Sequence, residues 1–354
     1  MSTGSRKDSH IEICLNDEIE YYAPELNGFG AYRFDHDALP EVNKSDIDLS
    51  VTLFSKKLKA PLIIGAMTGG TDRAEKINKI LAKAAARTGV GFALGSQRIL
   101  LENDALAKTF AVKEFAPSLP LLFGNVGAVQ LNYGMTAKDV KKLCDLVKAD
   151  AFNFHLNPLQ ESVQPEGDIN FSGLIAKLKD VIPQIGVPVL FKEVGSGISE
   201  TTAMKIKSLP ISGVETAGVG GTSWSKIESY RAASDSAQRN AGELFARWGV
   251  PTIESILAVR KTMPETTLIA SGGMRNGIEM AKAISLGANA CAMALPFLKA
   301  AEKSEDAVVE AIERVIEELR VTLFCVGAKN IQELKTKPLR RAQDFTAFTK
   351  GSRS

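Results

Sequence analysis

ADAFNFHLNPLQE (149–161) is an apolar run that turns polar within a few residues, and its reading decides the architecture. ADAFNFHLN (149–157) is short and rich in apolar and aromatic residues, the pattern of a parallel strand buried on both faces. An imidazole, two carboxamides and a carboxylate then follow within seven residues: His155, Asn157, Gln160 and Glu161. In a parallel α/β barrel the active site lies at the C-terminal ends of the strands, so these side chains are expected to face one pocket. Asn157-Pro158 would also suit a plain turn, with Glu161 capping the next helix and His155 satisfied in the core. The other strand ends decide between these roles.

Outward from this stretch, similar apolar runs recur: PLIIGAMT (61–68), GVGFALGS (89–96), PLLFGNVG (120–127), PVLFKEVG (188–195), GVETAG (213–218), TLIASGG (267–273) and NACAMALP (289–296). Helical periodicity fills the gaps in AEKINKILAKAAARTG (74–89), AKDVKKLCDLVK (137–148), SETTAMKIKSL (199–209) and NGIEMAKAISLG (276–287). Alternating β and α elements imply parallel pairing, and eight such strands imply a single closed (β/α)8 TIM barrel; an open doubly wound sheet is the alternative. The expected organisation is an N-terminal extension (1–60), the barrel (61–340) and a C-terminal tail (341–354) that ends in the polar FTKGSRS, expected to fray. Residues 219–266 exceed the usual spacing between strands 6 and 7 and are expected to form a lid or rim.

The chain has 354 residues, 45% hydrophobic and 24% charged, as expected of a globular protein with a sizeable core. A formal net charge of +2 provides no global field for nucleic acid or an anionic membrane, so any anion site must be local. Cys14, Cys144, Cys291 and Cys325 show no CxxC spacing, and three histidines leave little material for a zinc site. Reduced thiols, a polar N-terminus and the lack of a long apolar segment lead us to expect a cytoplasmic protein with no membrane span.

Every strand run ends in polar or glycine-rich residues. SGGMRNG (271–277) follows strand 7, where bare backbone N–H groups and a helix dipole commonly hold phosphate. Ser, Thr, Asn and Lys at the ends of strands 1, 2, 3 and 5 suit a flat heteroaromatic ring, with Lys192 placed to stabilise negative charge on it. That set suggests FMN.

Read together, RKDSH (6–10), IDLSVTLFSKKLKAPLIIGAMTGG (47–70), GSQR (95–98), FGNVG (123–127), HLNPLQESVQPEGD (155–168), FKEVGSGIS (191–199), AGVGGTSW (217–224), SGGMRNG and GAKNIQEL (327–334) cover nearly the whole chain. They resemble the type 2 isopentenyl-diphosphate isomerases, FMN-dependent (β/α)8 barrels that interconvert isopentenyl and dimethylallyl diphosphate in isoprenoid biosynthesis. One departure is Glu215, where the family's pattern usually carries Asp.

The resemblance implies FMN held by Ala66, Met67, Thr68, Ser96, Asn125, Lys192 and Thr222, with Gly272, Gly273, Met274, Ala294 and Leu295 near its phosphate. It implies a substrate diphosphate gripped by Arg6, Lys7, His10 and Arg98, with Ser96, Gln97 and Asn157 lining the substrate site and Gln160 near the allylic unit. Gln160, Lys192 and His155 would be the catalytic set. Glu161 would ligate Mg²⁺, which favours few carboxylates together with phosphate oxygens and water. NADPH would serve only to reduce the flavin, because the family reaction is redox-neutral. A homotetramer or octamer is the family tendency, with a small-molecule substrate and no nucleic-acid partner.

An unactivated alkene needs a strong acid close by, yet Glu161 is assigned to metal and Gln160 cannot ionise. The resemblance and this shortage together point to reduced FMN as proton donor at N5. A 2-hydroxy-acid oxidase would need a histidine base late in the barrel, but no histidine follows His155. An enzyme like inosine-monophosphate dehydrogenase would need a cysteine after strand 6, where Thr222 and Ser223 stand instead. A flavin- or phosphate-binding sensor or scaffold is the non-enzymatic alternative, and isomerase turnover separates the two.

Overall fold

The computed structural model describes residues 3–20 and 24–342. Eight parallel strands form a closed barrel in sequence order: β1 (Leu62–Ile64), β2 (Gly91–Ala93), β3 (Leu122–Gly127), β4 (Ala151–Leu156), β5 (Val189–Glu193), β6 (Gly213–Glu215), β7 (Thr267–Ser271) and β8 (Ala290–Met293). Closure is made by β8 on β1, in the register Cys291↔Leu62, Ala292↔Ile63 and Met293↔Ile64, which excludes the open sheet. The strands stop short of the apolar runs that announced them. The residues beyond, such as Gly65 to Thr68 after β1, line the mouth.

Strand alternation sorts the apolar side chains into two clusters. Ile63, Ala93, Phe123, Ala151, Leu190, Ile269, Ala290 and Ala292 fill the barrel interior. Leu62, Ile64, Phe92, Phe152, Phe154, Phe191, Val214 and Leu268 pack outward under the helices. In FNFHL the two phenylalanines therefore face the helices, while Asn153 and His155 take the opposite face.

The helices carry their own start signals. Thr71 caps Asp72–Thr88 by accepting from Ala74 N, and Ala74, Ile77, Leu81, Ala84 and Ala85 form its buried stripe. Thr136 and Asp139 close a capping box on Ala137–Val147.

The extension closes both ends of the barrel. A hairpin (Val51–Leu53 with Lys56–Leu58) buries Leu53 and Leu58 in the interior cluster, and Phe54 meets Phe123 edge-on at 6.0 Å. Its two-residue loop is left-handed at Phe54 and Ser55, with φ of 49° and 63°, the twist a tight hairpin needs. At the opposite end the helix Thr3–Asn16 crosses the mouth. Tyr32–Phe34 pairs with Leu339–Arg341, joining the extension to the last described residues. Residues 343–354, including FTKGSRS, lie outside the described residues. Residues 219–266 form the helices Trp224–Arg231, Ala237–Leu244 and Thr252–Thr262, and the first contacts both Thr3–Asn16 and Pro158–Val163 on the rim. All four cysteines are unpaired. Among the described residues no helix is long and apolar enough to cross a membrane.

Leu58, fully buried, tests the floor of the barrel. Leu58→Ala is expected to lower stability by about 2–5 kcal/mol, read as a fall in the denaturation midpoint at constant slope. A loss below about 1 kcal/mol would show that the hairpin does not share the barrel core.

Candidate active site

One cavity occupies the C-terminal mouth of the barrel. Its wall includes a register row across four strands, Gly127↔His155↔Lys192↔Glu215, whose members point to the same side because paired residues on parallel strands share a face. Gly127 leaves room for the imidazole: a Cβ there would stand 3.0 Å from His155 Nε2. Asn125 Nδ2 donates to Leu94 O, which fixes the amide and turns Asn125 Oδ1 toward His155 Nδ1 at 2.9 Å. His155 therefore carries its hydrogen on Nδ1 and leaves Nε2 as an acceptor. Burial, with Lys192 and Arg98 nearby, pushes its pKa down to about 3, so the ring is neutral at physiological pH.

Across the mouth stands a group of cations. Lys7 donates to Ser96 O at 2.8 Å, and burial together with Arg6 and Arg98 lowers its pKa to about 7. Burial and then Arg98 also lower that of Arg6. Three mutually repelling cations on one wall need an anion between them. Arg98 meets part of this need by pairing with Asp168 at 2.5 Å.

A carboxylate absent from the sequence reading organises the rim beside these cations. Glu228, fully buried on Trp224–Arg231, accepts from His10 Nε2 at 3.0 Å and Gln160 Nε2 at 2.9 Å, and pairs with Arg231. Burial alone would raise its pKa, but His10, Arg231 and Gln160 hold it below the usual carboxylate range. Asn157 Nδ2 donates to Gln160 Oε1 at 3.1 Å, so both ends of the Gln160 amide are held. Trp224 packs edge-on against His10 at 5.1 Å. The available sequence signal was the i, i+4 spacing of Trp224 and Glu228 just after GVGGTS, which puts both on one helix face.

Of the sequence-derived set, Arg6, Lys7, His10, Ala66, Met67, Thr68, Ser96, Arg98, Asn125, His155, Asn157, Gln160, Glu161, Lys192, Thr222, Gly272, Gly273, Met274, Ala294 and Leu295 all line this cavity. Gln97 does not. It is fully buried, donates to Leu143 O at 3.1 Å and accepts from Asn125 N at 2.9 Å, so it braces β3 instead of reaching a substrate. Its neighbours in GSQR point into the mouth and Gln97 points into the wall.

The cavity fits a flavin at the level of its donors. Thr68 Oγ1 is buried on the wall without a partner. In the SGGMRNG turn, Gly272 and Gly273 have φ of 112° and 71°, and a Cβ on Gly273 would meet Gly220 O at 2.3 Å, so only glycine permits this bare-backbone turn. Magnesium is a different case. Glu161 accepts from Asn157 Nδ2 at 2.9 Å and Asp168 N at 2.7 Å, and among the described residues no group of three His, Cys, Asp or Glu could hold a metal unaided. One carboxylate beside a cation-bound diphosphate is enough if the substrate and water complete the shell.

Residues 246–341 match the FMN-dependent dehydrogenase family model. Solved structures share the fold: a flavocytochrome b2 mutant with benzoylformate (TM-score 0.69, 17% identity, 94% of this chain and 82% of that chain) and a Pediococcus acidilactici lactate oxidase (TM-score 0.65, 14% identity, 95% and 94%). Closer in sequence is an isopentenyl-diphosphate delta-isomerase of a Nostoc species, 46% identical over 333 residues that cover 94% of both chains. Another from Rickettsia bellii is 47% identical over 335 residues, covering 95% of this chain and 97% of its own. With identity at this level along nearly its whole length, the chain belongs to the isopentenyl-diphosphate delta-isomerase family, in its barrel-built type 2 form.

Proposed function

We propose that this chain interconverts isopentenyl and dimethylallyl diphosphate in a flavin-dependent, redox-neutral reaction, with NADPH used only to reduce FMN. The observation that carries this reading is the placement of Arg6, Lys7 and Arg98 above the strand-end ring of Thr68, Asn125, His155 and Lys192 in one cavity. A diphosphate satisfies the cations, and its short hydrocarbon tail then points down among the strand ends. Glu161 would add one ligand to a Mg²⁺ held mainly by diphosphate and water.

Reduced FMN, when bound, supplies a proton at N5 and an electron-rich face. The remaining work falls to side chains. Glu228 is ionised, so it accepts hydrogen bonds and donates none, and it holds the Gln160 amide toward the cavity. Gln160 itself cannot ionise. Neutral His155 presents Nε2 as an acceptor next to Lys192, whose ammonium favours negative charge on a neighbouring ring. Held in this form, Glu228 offers no proton of its own to a neighbouring group. Its partners would be a small diphosphate and copies of the same chain in a homo-oligomer.

Substrate should turn over many times per NADPH consumed, with dithionite able to replace NADPH; one NADPH per product would indicate a reductase instead. A preparation that binds flavin but shows no turnover would favour the sensor reading.

Gln160→Ala should retain the bound-flavin spectrum and lose roughly 10² to 10⁴ in kcat, as when a proton-transfer arrangement is disrupted. A KM effect with unchanged kcat would limit Gln160 to binding.

The lowered pKa of Lys7 gives a pH signature with a definite sign. Its charged form grips the diphosphate and prevails below about 7, so kcat/KM should fall as pH rises through about 7. Bound diphosphate restores the charge, leaving kcat nearly flat in that range. Lys7→Arg should abolish the fall, and an identical profile in that variant would assign it to another group.

A further inference from the structure

Lys192 and Glu215 are direct register partners on β5 and β6, both buried and both on the cavity wall. Their charged ends stand 3.7 Å apart, too long for a direct hydrogen bond. Two other contacts account for the gap. Glu215 Oε1 accepts from Ser271 Oγ at 2.9 Å, and Lys192 Nζ donates to Glu193 O at 2.7 Å. Ser271 is itself held, because its Oγ accepts from Ala217 N at 2.9 Å. The carboxylate thus sits close enough to offset the lysine charge but does not take up its donors, and an ammonium with three N–H groups keeps others for the cavity.

We infer that Glu215 is a positioning residue that acts through Lys192: it reduces the positive charge felt at the flavin ring and keeps the bound flavin's midpoint potential lower than an uncompensated lysine would. This rests on the flavin reading above. Charges in a poorly solvated wall act over the width of a ring system, so neutralising one carboxylate should be felt there. An unopposed Lys192 would over-stabilise the anionic reduced ring and make it less electron-rich. Ser271 sets the compromise by holding the carboxylate off the ammonium. Glu215 carries one methylene more than the Asp usual in the family, which lets it span from β6 to both Ser271 and the Lys192 side.

The test is the midpoint potential of FMN in the full-length holoprotein, titrated with dithionite against a reference dye. Glu215→Gln preserves shape and removes charge. It should raise the preference for reduced over oxidised flavin roughly tenfold, a positive shift of about 30 mV for a two-electron couple. Glu215→Asp, which withdraws the carboxylate while keeping its charge, should shift the potential in the same direction by less. A midpoint in Glu215→Gln that is unchanged or more negative would overturn the inference, and so would loss of flavin from both variants, which would make Glu215 a structural residue. Parent protein that binds flavin and turns over while the variants show no shift leaves the isomerase reading standing and removes this one. A parent that binds no flavin removes both.

Discussion

Parallel strands expose unpaired amides at both edges of a sheet unless the first strand meets the last. Here β8 meets β1, and that closure sends every strand in the same direction around the ring. The C-terminal ends gather on one rim and the N-terminal ends on the other. Polar residues that follow each strand then have nowhere else to converge. The interior packing of Phe123, Leu190, Ile63 and Ile269 is sealed below by the Leu53–Leu58 hairpin, and a cavity remains at the top. The site is the unfilled end of a filled barrel.

A second constraint holds the rim together. A carboxylate taken wholly out of water must be paired and hydrogen-bonded, or its burial costs several kcal/mol. Glu228 meets that demand with His10 from the N-terminal helix, Gln160 from the short helix Pro158–Val163 after β4 and Arg231 from its own helix. Segments more than two hundred residues apart are thus tied to one anion. The helix carrying Arg6 and Lys7 is tied to the same carboxylate that holds Gln160, so the cations at the mouth and the Gln160 amide belong to one structural arrangement.

The electrostatics of the cavity divide into two zones. At the mouth, burial and the neighbouring Arg98 raise the cost of charging Arg6 and Lys7, which favours a multivalent anion. Deeper, Lys192 is moderated by Glu215, and His155 stays neutral beside it. The first zone therefore carries concentrated positive charge, while in the second a lysine stands between a carboxylate and a neutral imidazole.

Much of this was legible in the chain because local rules act on short windows. Runs such as PLLFGNVG mark strands through burial on both faces. Thr71 and Thr136 mark helix starts, and the polar turn after each run marks a site once the sheet is known to be parallel. His155, Asn157, Gln160 and Glu161 were identifiable on that basis, and the family motifs named the cations of RKDSH. Tertiary structure alone decided the rest. Whether eight strands close or stay open depends on β8 finding β1 more than two hundred residues away, which no window contains. Gln97 and Arg98 are adjacent in sequence, yet one turns into the wall and the other into the mouth. Glu228 looked like one more charge on a helix in an insertion, and its role arises because burial forces a lone carboxylate to recruit partners from wherever the fold brings them. Sequence periodicity states which face of an element is apolar; which distant groups meet on the polar face is set by closure and by the need to pair every buried charge.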